Sequence, residues 1–262
     1  MSHIRYTRAL ADEYIRLYKS CEILPSKFEE IDKIIENILQ HRIIYEETSE
    51  IVGIPWYFIA AIHNMESSGN FTKHLHNGDP LTAKTVHIPK DRPKKGKPPF
   101  TWKESAVDAL RLRGVQRVRK WTLPRVLYEM EGYNGWGYRI YHPYILTPYL
   151  WAGSNHYISG KYTADGRWSN SAVSKQCGGA LIIRRLEEKN EIKFGEISKS
   201  PLFFYADSPK KRDFHVKKLQ KFLNGFEGIA LRVDGNAGMK TSVAVKKVFD
   251  FYLKGDPRYE EN

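Results

Sequence analysis

Only two cysteines, Cys21 and Cys177, occur in the 262 residues, far apart and in no redox-type or metal-type spacing. That excludes a disulfide scaffold and a thiolate metal site, and both read as ordinary thiols. No run of about twenty apolar residues is present, which argues against a membrane-spanning helix. The first thirteen residues, from Met1 to Glu13, also lack the unbroken apolar stretch of a signal peptide, because charge interrupts it. Synthesis in the cytoplasm, with any export left to another factor, is the expectation. Acidic residues are the minority charge, 30 against 42 Lys and Arg, and the net charge is +12. At 41% hydrophobic and 13% aromatic residues, the composition is that of a folded chain rather than a disordered one. Its length allows one substantial core and a second small one.

The positive charge is concentrated. Between Lys84 and Arg125 there are thirteen Lys or Arg and three acids, and the block includes the Pro-rich and Lys-rich run from Lys90 to Pro99, which reads as a loop. Such a block implies an anionic partner. Nucleic acid, teichoic acid, lipopolysaccharide and carboxylate-bearing wall peptides all qualify, and so does a solvated loop with no partner. Charge alone does not choose among them.

The pattern elsewhere is mostly helical. Ile31, Ile34, Ile35, Ile38 and Leu39 form an apolar stripe on one helix running from about Phe28 toward Thr48. Glu104 to Arg119 repeats the pattern, and Leu123 to Met130 forms another helix with Pro124 in its first turn. The most informative helix starts at Ile54-Pro55-Trp56. Trp56, Ile59, Ala60 and His63 share one of its faces, Glu66 continues that face, and Ser67-Ser68-Gly69 then ends it. A carboxyl partly buried among apolar side chains keeps its proton to higher pH, which suits a general acid. A solvated or capping glutamate is the plain alternative.

A second unusual stretch runs from Glu131 to Tyr144, where glycines and aromatics alternate around Asn134. Aromatic faces and amides are what a saccharide groove needs, although the same alternation suits a tightly packed buried loop. Tyr133, Asn134, Tyr138, Tyr141 and His142 are the candidate contacts there, with Ser67 and His76 near the glutamate. His74, His76 and His87 with Asp79 match no zinc spacing, so neither metal nor cofactor is expected.

Near the carboxy terminus the chain reads Leu219-Gln220, then Val233-Asp234-Gly235-Asn236-Ala237-Gly238, then Thr241-Ser242-Val243-Ala244-Val245. Asp234-Gly235 supplies a tight turn, Gly238 a backbone shape other residues resist, and Thr241 a cap for the next helix. This segment resembles the small three-helix peptidoglycan-binding module of wall hydrolases and phage endolysins. The resemblance implies wall binding, with Asp234, Gly238 and Thr241 at the contact surface. Glu66-Ser67, followed by Tyr133-Asn134 and Gly137, resembles the lytic transglycosylase and goose-type lysozyme families. There the glutamate is the catalytic acid and the Tyr-Asn segment lines the site. The Gly-Leu-Met-Gln type of segment usual between them is absent, which marks a divergent branch.

The expected fold is therefore mainly α. It comprises a lysozyme-like helical catalytic domain over residues 1–200, a linker over 201–212 and a small three-helix domain over 213–262. The expected activity is cleavage of the β-1,4 bond between N-acetylmuramic acid and N-acetylglucosamine in peptidoglycan, in phage-type host lysis, by a monomer acting at the bacterial wall. Two chemistries stay open. Glu66 works largely alone and leaves 1,6-anhydro ends, as the resemblance implies, or Asp79 in Asn77-Gly78-Asp79-Pro80 serves as a second carboxylate in a muramidase. The basic 84–125 block is assigned to anionic wall polymers or outer-membrane lipid, with no specific nucleic-acid role. A wall-binding protein without catalysis is the alternative of another class.

Overall fold

The computed structural model describes residues 4–164, 166–195, 204–206 and 213–259. The chain divides into two compact units, Met1–Gly195 and Glu196–Asn262. Most of the 201–212 linker lies outside the described residues. The described structure is mainly helical, with one two-stranded antiparallel ribbon. None of the described helices is long and apolar enough to cross a membrane.

In the first unit the helices are α1 (Arg8–Lys19), α2 (Phe28–Gln40), α3 (Arg42–Val52), α4 (Trp56–Ser67), α5 (Trp102–Arg113), α6 (Leu123–Asn134), the short α7 (Gly137–Tyr141) and α8 (Pro148–Trp151), and α9 (Gly179–Glu188). Strands β1 (Lys161–Ala164) and β2 (Arg167–Ser169) pair with Tyr162 opposite Trp168. The single helix expected from Phe28 toward Thr48 is two helices. The chain leaves helical geometry at His41, whose ring Nδ1 lies 2.9 Å from the Asn37 carbonyl oxygen. The break lets α2 pack on α9 while α3 packs on α4 and α5. The helix expected from Glu104 to Arg119 likewise stops at Arg113. Thr101 and Glu104 form a reciprocal capping box at its start, and Gly114, with φ 73°, ends it.

Helix α4 is the core element. Its start is as expected, with Pro55 extended just before the first turn. It is not one-faced, however: Phe58, Ile59, Ala60, Ala61, Ile62, His63 and Met65 are all buried, so apolar contacts surround it. His63 is fully enclosed against the rings of Phe71 and Trp102, with Nδ1 2.9 Å from the Tyr45 hydroxyl. Burial holds its pKa down at about 4, so the ring is neutral near pH 7.

Two close approaches set the layer beside α4. Gly178 precedes α9 and packs directly on the backbone of α8; a Cβ there would overlap the Leu150 carbonyl. Gly179 faces the terminal methyl of Met130 on α6, a flexible side-chain end rather than fixed backbone. Across the unit, Glu131 of α6 is buried. It accepts a 2.5 Å bond from the Tyr14 hydroxyl of α1 and pairs at 2.8 Å with Arg139 of α7. Burial raises the Glu131 pKa, and Arg139 and Tyr14 draw it back.

The second unit contains α10 (Phe214–Leu223) and α11 (Met239–Phe249); these are two helices among the described residues, where three were expected. Val216, Leu223, Ala237, Ala244, Val245 and Leu253 form its core.

Candidate functional site

Glu66 is the penultimate residue of α4, and the helix ends immediately after it with Ser68 (φ 56°) and Gly69 (φ 70°) in left-handed geometry. The Ser68 and Gly69 amides donate to the Asn64 and His63 carbonyls, closing the last turn. A negative side chain at this end of a helix meets the negative end of the macrodipole. Burial adds to this and raises the Glu66 pKa above the ordinary carboxylate range. The Tyr149 hydroxyl donates to Glu66 Oε1 at 2.8 Å, and the charge of Arg113 acts in the same direction; both lower the pKa, but less than burial raises it. The result is a carboxyl with one oxygen held in place and a raised affinity for its proton.

Tyr149 stands on the single turn α8, which begins with Thr147-Pro148. The Thr147 hydroxyl accepts from the Tyr149 amide at 3.3 Å, and Pro148 presets the first helical residue. Tyr149 also lines an open cavity of about 470 Å³. One wall of that cavity is the junction of α6 and α7, with Asn134, Gly135, Gly137 and Tyr138; the ribbon supplies the other through Lys161, Tyr162 and Thr163. Ser174 and Gln176 also line it, and the Gln176 amide donates to the Met65 carbonyl at 3.4 Å, tying this segment to the end of α4. Glu66 thus stands one hydrogen bond behind the lining residue Tyr149. Amides, hydroxyls and aromatic rings surround a concave space of the size that holds a small ligand or a few sugar units.

The expected loop over 131–144 is largely helical. Tyr133 and Asn134 are the last residues of α6, and α7 follows after Gly135, whose φ is 99°. Tyr133 is buried, with the Arg113 guanidinium 4.7 Å over its ring and its hydroxyl 3.5 Å from the Leu75 carbonyl oxygen. The negative charge of Glu66 adds to burial in raising its pKa. Asn134 and Tyr138 line the cavity, and Tyr138 meets Tyr162 edge-on at 5.6 Å. Tyr141 is exposed and outside the lining. His142 lies flat on Trp168 at 3.4 Å, bracing the ribbon from outside the lining. Ser67 is buried and donates to the His63 carbonyl, so its hydroxyl is engaged within the helix.

Asp79 sits in a tight hairpin over residues 73–80, in which the Gly78 amide donates to the His74 carbonyl and the His74 amide to the Asp79 carbonyl. Its Oδ2 accepts from the amides of Val86 and His87 at 2.8 and 3.0 Å and from the Asn77 side chain at 3.1 Å. Its Oδ1 lies 2.6 Å from His87 Nδ1. Burial alone would raise its pKa, but the bonds from His87 and Val86 outweigh it and bring the carboxyl down to about 2. Asp79 holds its own loop together. His76 is buried, with Nε2 2.8 Å from Asp108, while His74 Nδ1 is 2.8 Å from the Ser105 hydroxyl. Burial lowers the His76 pKa, against the pull of Asp108.

In the second unit, Asp234, Gly238 and Thr241 do come together, around a smaller cavity of about 240 Å³. Their roles differ from those read in the sequence. Gly238 has φ −77°, open to any residue, and it is Gly235, at φ 80°, that takes the left-handed turn. Thr241 lies inside α11 rather than capping it, and its hydroxyl donates to the Asn236 carbonyl. The residue that organises the turn is Gln220, buried on α10. Its amide nitrogen donates to Asp234 Oδ1, the Asn236 carbonyl and the Thr241 hydroxyl, while its oxygen accepts from the Gly235 amide.

Sequence reasoning missed Tyr149, Gln176, Arg113 and the ribbon. Tyr149 lies 83 residues beyond Glu66, and nothing local to Thr147-Pro148-Tyr149 distinguishes it from an ordinary helix start. No protein-family model, characterised protein or solved structure matches the chain, so its own geometry carries the functional reading.

Proposed function

We propose that the chain cleaves the β-1,4 bond between N-acetylmuramic acid and N-acetylglucosamine in peptidoglycan as a lytic transglycosylase, with Glu66 as acid and then base. The observation that carries this is Glu66: half-buried at the end of an apolar helix, its carboxyl gripped by Tyr149 and raised in pKa by desolvation, beside a cavity lined by amides and aromatics. With Oε1 held, the proton on the other oxygen is free to pass to the departing glycosidic oxygen as the C1–O bond breaks. The resulting carboxylate takes the proton of the C6 hydroxyl of the muramic acid ring. That oxygen closes on C1, giving a 1,6-anhydro end and returning Glu66 to its protonated form.

The muramidase alternative asks Asp79 to attack C1 or activate water. All of the Asp79 oxygen contacts described above serve its own loop, which favours the scheme in which Glu66 acts alone. The second unit, with its Gln220-organised turn, is assigned to wall attachment, and lysis of a bacterial host by a phage-type monomer is the setting this fits.

The test is clearing of purified cell walls by Glu66→Gln, with mass spectrometry of the released fragments from the native protein. Clearing should disappear while wall binding persists, and the fragments should be one water lighter than reducing-end products. Full-rate clearing by the variant would overturn the assignment of Glu66, and ordinary reducing ends would overturn the transglycosylase scheme. Wall binding with no clearing by the native protein would leave a binding protein only.

A further inference from the structure

The basic block contains a second, separate cavity. It has about 550 Å³, shares no residue with the cavity beside Tyr149, and lies between α5, the end of α3 and the loop over 93–96. Ile51, Pro93 and Val107 give it an apolar side, and Lys94, Lys95, Lys103 and Arg111 supply cations.

Most of its charges already have partners. Lys94 pairs with Asp91 at 2.6 Å and Lys103 with Glu47 at 2.7 Å. Of the two acids in the lining, Asp108 is held by His76 at 2.8 Å and Arg92 at 3.5 Å, and Glu104 Oε2 closes the capping box with Thr101. Lys95 and Arg111 remain, exposed and pairing with no acid among the described residues. The loop that presents Lys95 is built rather than draped. Pro93 is buried, Gly96 turns with φ 86° against the Phe100 ring, and the buried Phe100 donates its amide to the Leu81 carbonyl at 2.9 Å. Two uncommitted cations at the edge of a preformed concave apolar surface suit a compact ligand with carboxylate and small apolar groups. A long polyanion would be better served by an open row of cations.

We infer that this cavity is a second binding site of the catalytic unit, taking short acidic peptides of small apolar residues through Lys95 and Arg111, such as the stem peptides hanging from wall glycan. The identity of that peptide rests on the proposed function; the acidic, partly apolar character of the ligand rests on the cavity alone. Binding there would hold a peptide-bearing strand on the enzyme while its glycan is cut at Glu66.

The test is calorimetric titration of the full chain with the tetrapeptide L-Ala–γ-D-Glu–diaminopimelate–D-Ala, its carboxyl-amidated form, and vesicles of phosphatidylglycerol. The tetrapeptide should bind. The Lys95→Ala/Arg111→Ala double variant and the amidated peptide should each weaken binding at least about tenfold, as expected when two charge-assisted bonds are lost. Glu66→Gln should bind as the native protein does. No binding, or binding unchanged in the double variant, overturns the inference, as does vesicle binding that alone depends on these two residues. Peptide binding without wall clearing by the native protein would uphold the site and sink the glycan-cleaving reading. Clearing of walls without peptide binding would do the reverse.

Discussion

The end of α4 and the loop after it each hold a carboxylate, and the two are opposites. Glu66 is half-buried at the negative end of an apolar helix, with one hydroxyl donor and a pKa raised by desolvation. Asp79, in the hairpin that follows, is buried, yet the bonds it accepts bring it down to about 2. Burial alone therefore does not make a general acid. The number of donors aimed at the oxygens decides whether a buried carboxyl keeps its proton or gives it up.

Glu66→Gln should break the comparison most sharply. Wall clearing should fall by about 10²–10⁴, the range for loss of a positioned proton donor. The same variant should be more stable than the native protein at neutral pH. A folded pKa above the unfolded one means the native glutamate contributes fully below its unfolded pKa and loses that contribution as pH rises through the folded value. Thermal melts at pH 7 and pH 4 check this, and the gap between variant and native protein should shrink at the lower pH. A variant that melts earlier at pH 7 would contradict the burial argument.

Tyr149→Phe should cost about tenfold in clearing, a loss of roughly 1.4 kcal/mol in positioning. Its pH profile is the sharper readout. The Tyr149 bond lowers the Glu66 pKa, so removing it should move the limb assigned to Glu66 to higher pH. An unshifted limb would show that the hydroxyl does not act on the carboxyl.

Asp79→Asn is the counterpart. Clearing should stay within about twofold when measured well below the melting temperature, while stability drops by roughly 1–3 kcal/mol as loop bonds to a charged acceptor are weakened. Because the folded pKa is depressed, the native contribution is present above the unfolded carboxyl pKa and is lost as pH falls toward about 2. A thousandfold loss of clearing with an unchanged melt would restore Asp79 as a reacting group. Smallest in reach is Gln220→Leu, which should lower wall attachment and loosen the second unit while leaving cleavage of soluble glycan fragments intact.

How legible all this was depended on distance along the chain. The start of α4 at Pro55, its end at Ser68-Gly69 and the placement of Glu66 between them are local, and local rules found them. The break at His41 was not legible, because it is set by which neighbours each half packs against, and the Ile31–Leu39 stripe simply runs into it. Asp79 looked like a second carboxylate because a sequence counts acids but not the amides that fold back on them. Asn134 and Tyr138 were found from composition, whereas the ribbon opposite them has no periodicity to announce it. In the second unit the pattern around Asp234 pointed to the right turn, but the hinge of its hydrogen bonds, Gln220, reaches it from another helix.

The contact at Gly178 places a limit on how such a site can change. Tyr149 sits one residue before the Leu150 carbonyl that a Cβ on this glycine would overlap, so the reach of its hydroxyl to Glu66 depends on a methyl group that is not there. Most active-site distances can drift by exchanging one side chain for a slightly longer one. Here the spacer is already as small as chemistry allows, so variation at that position can run only toward separation.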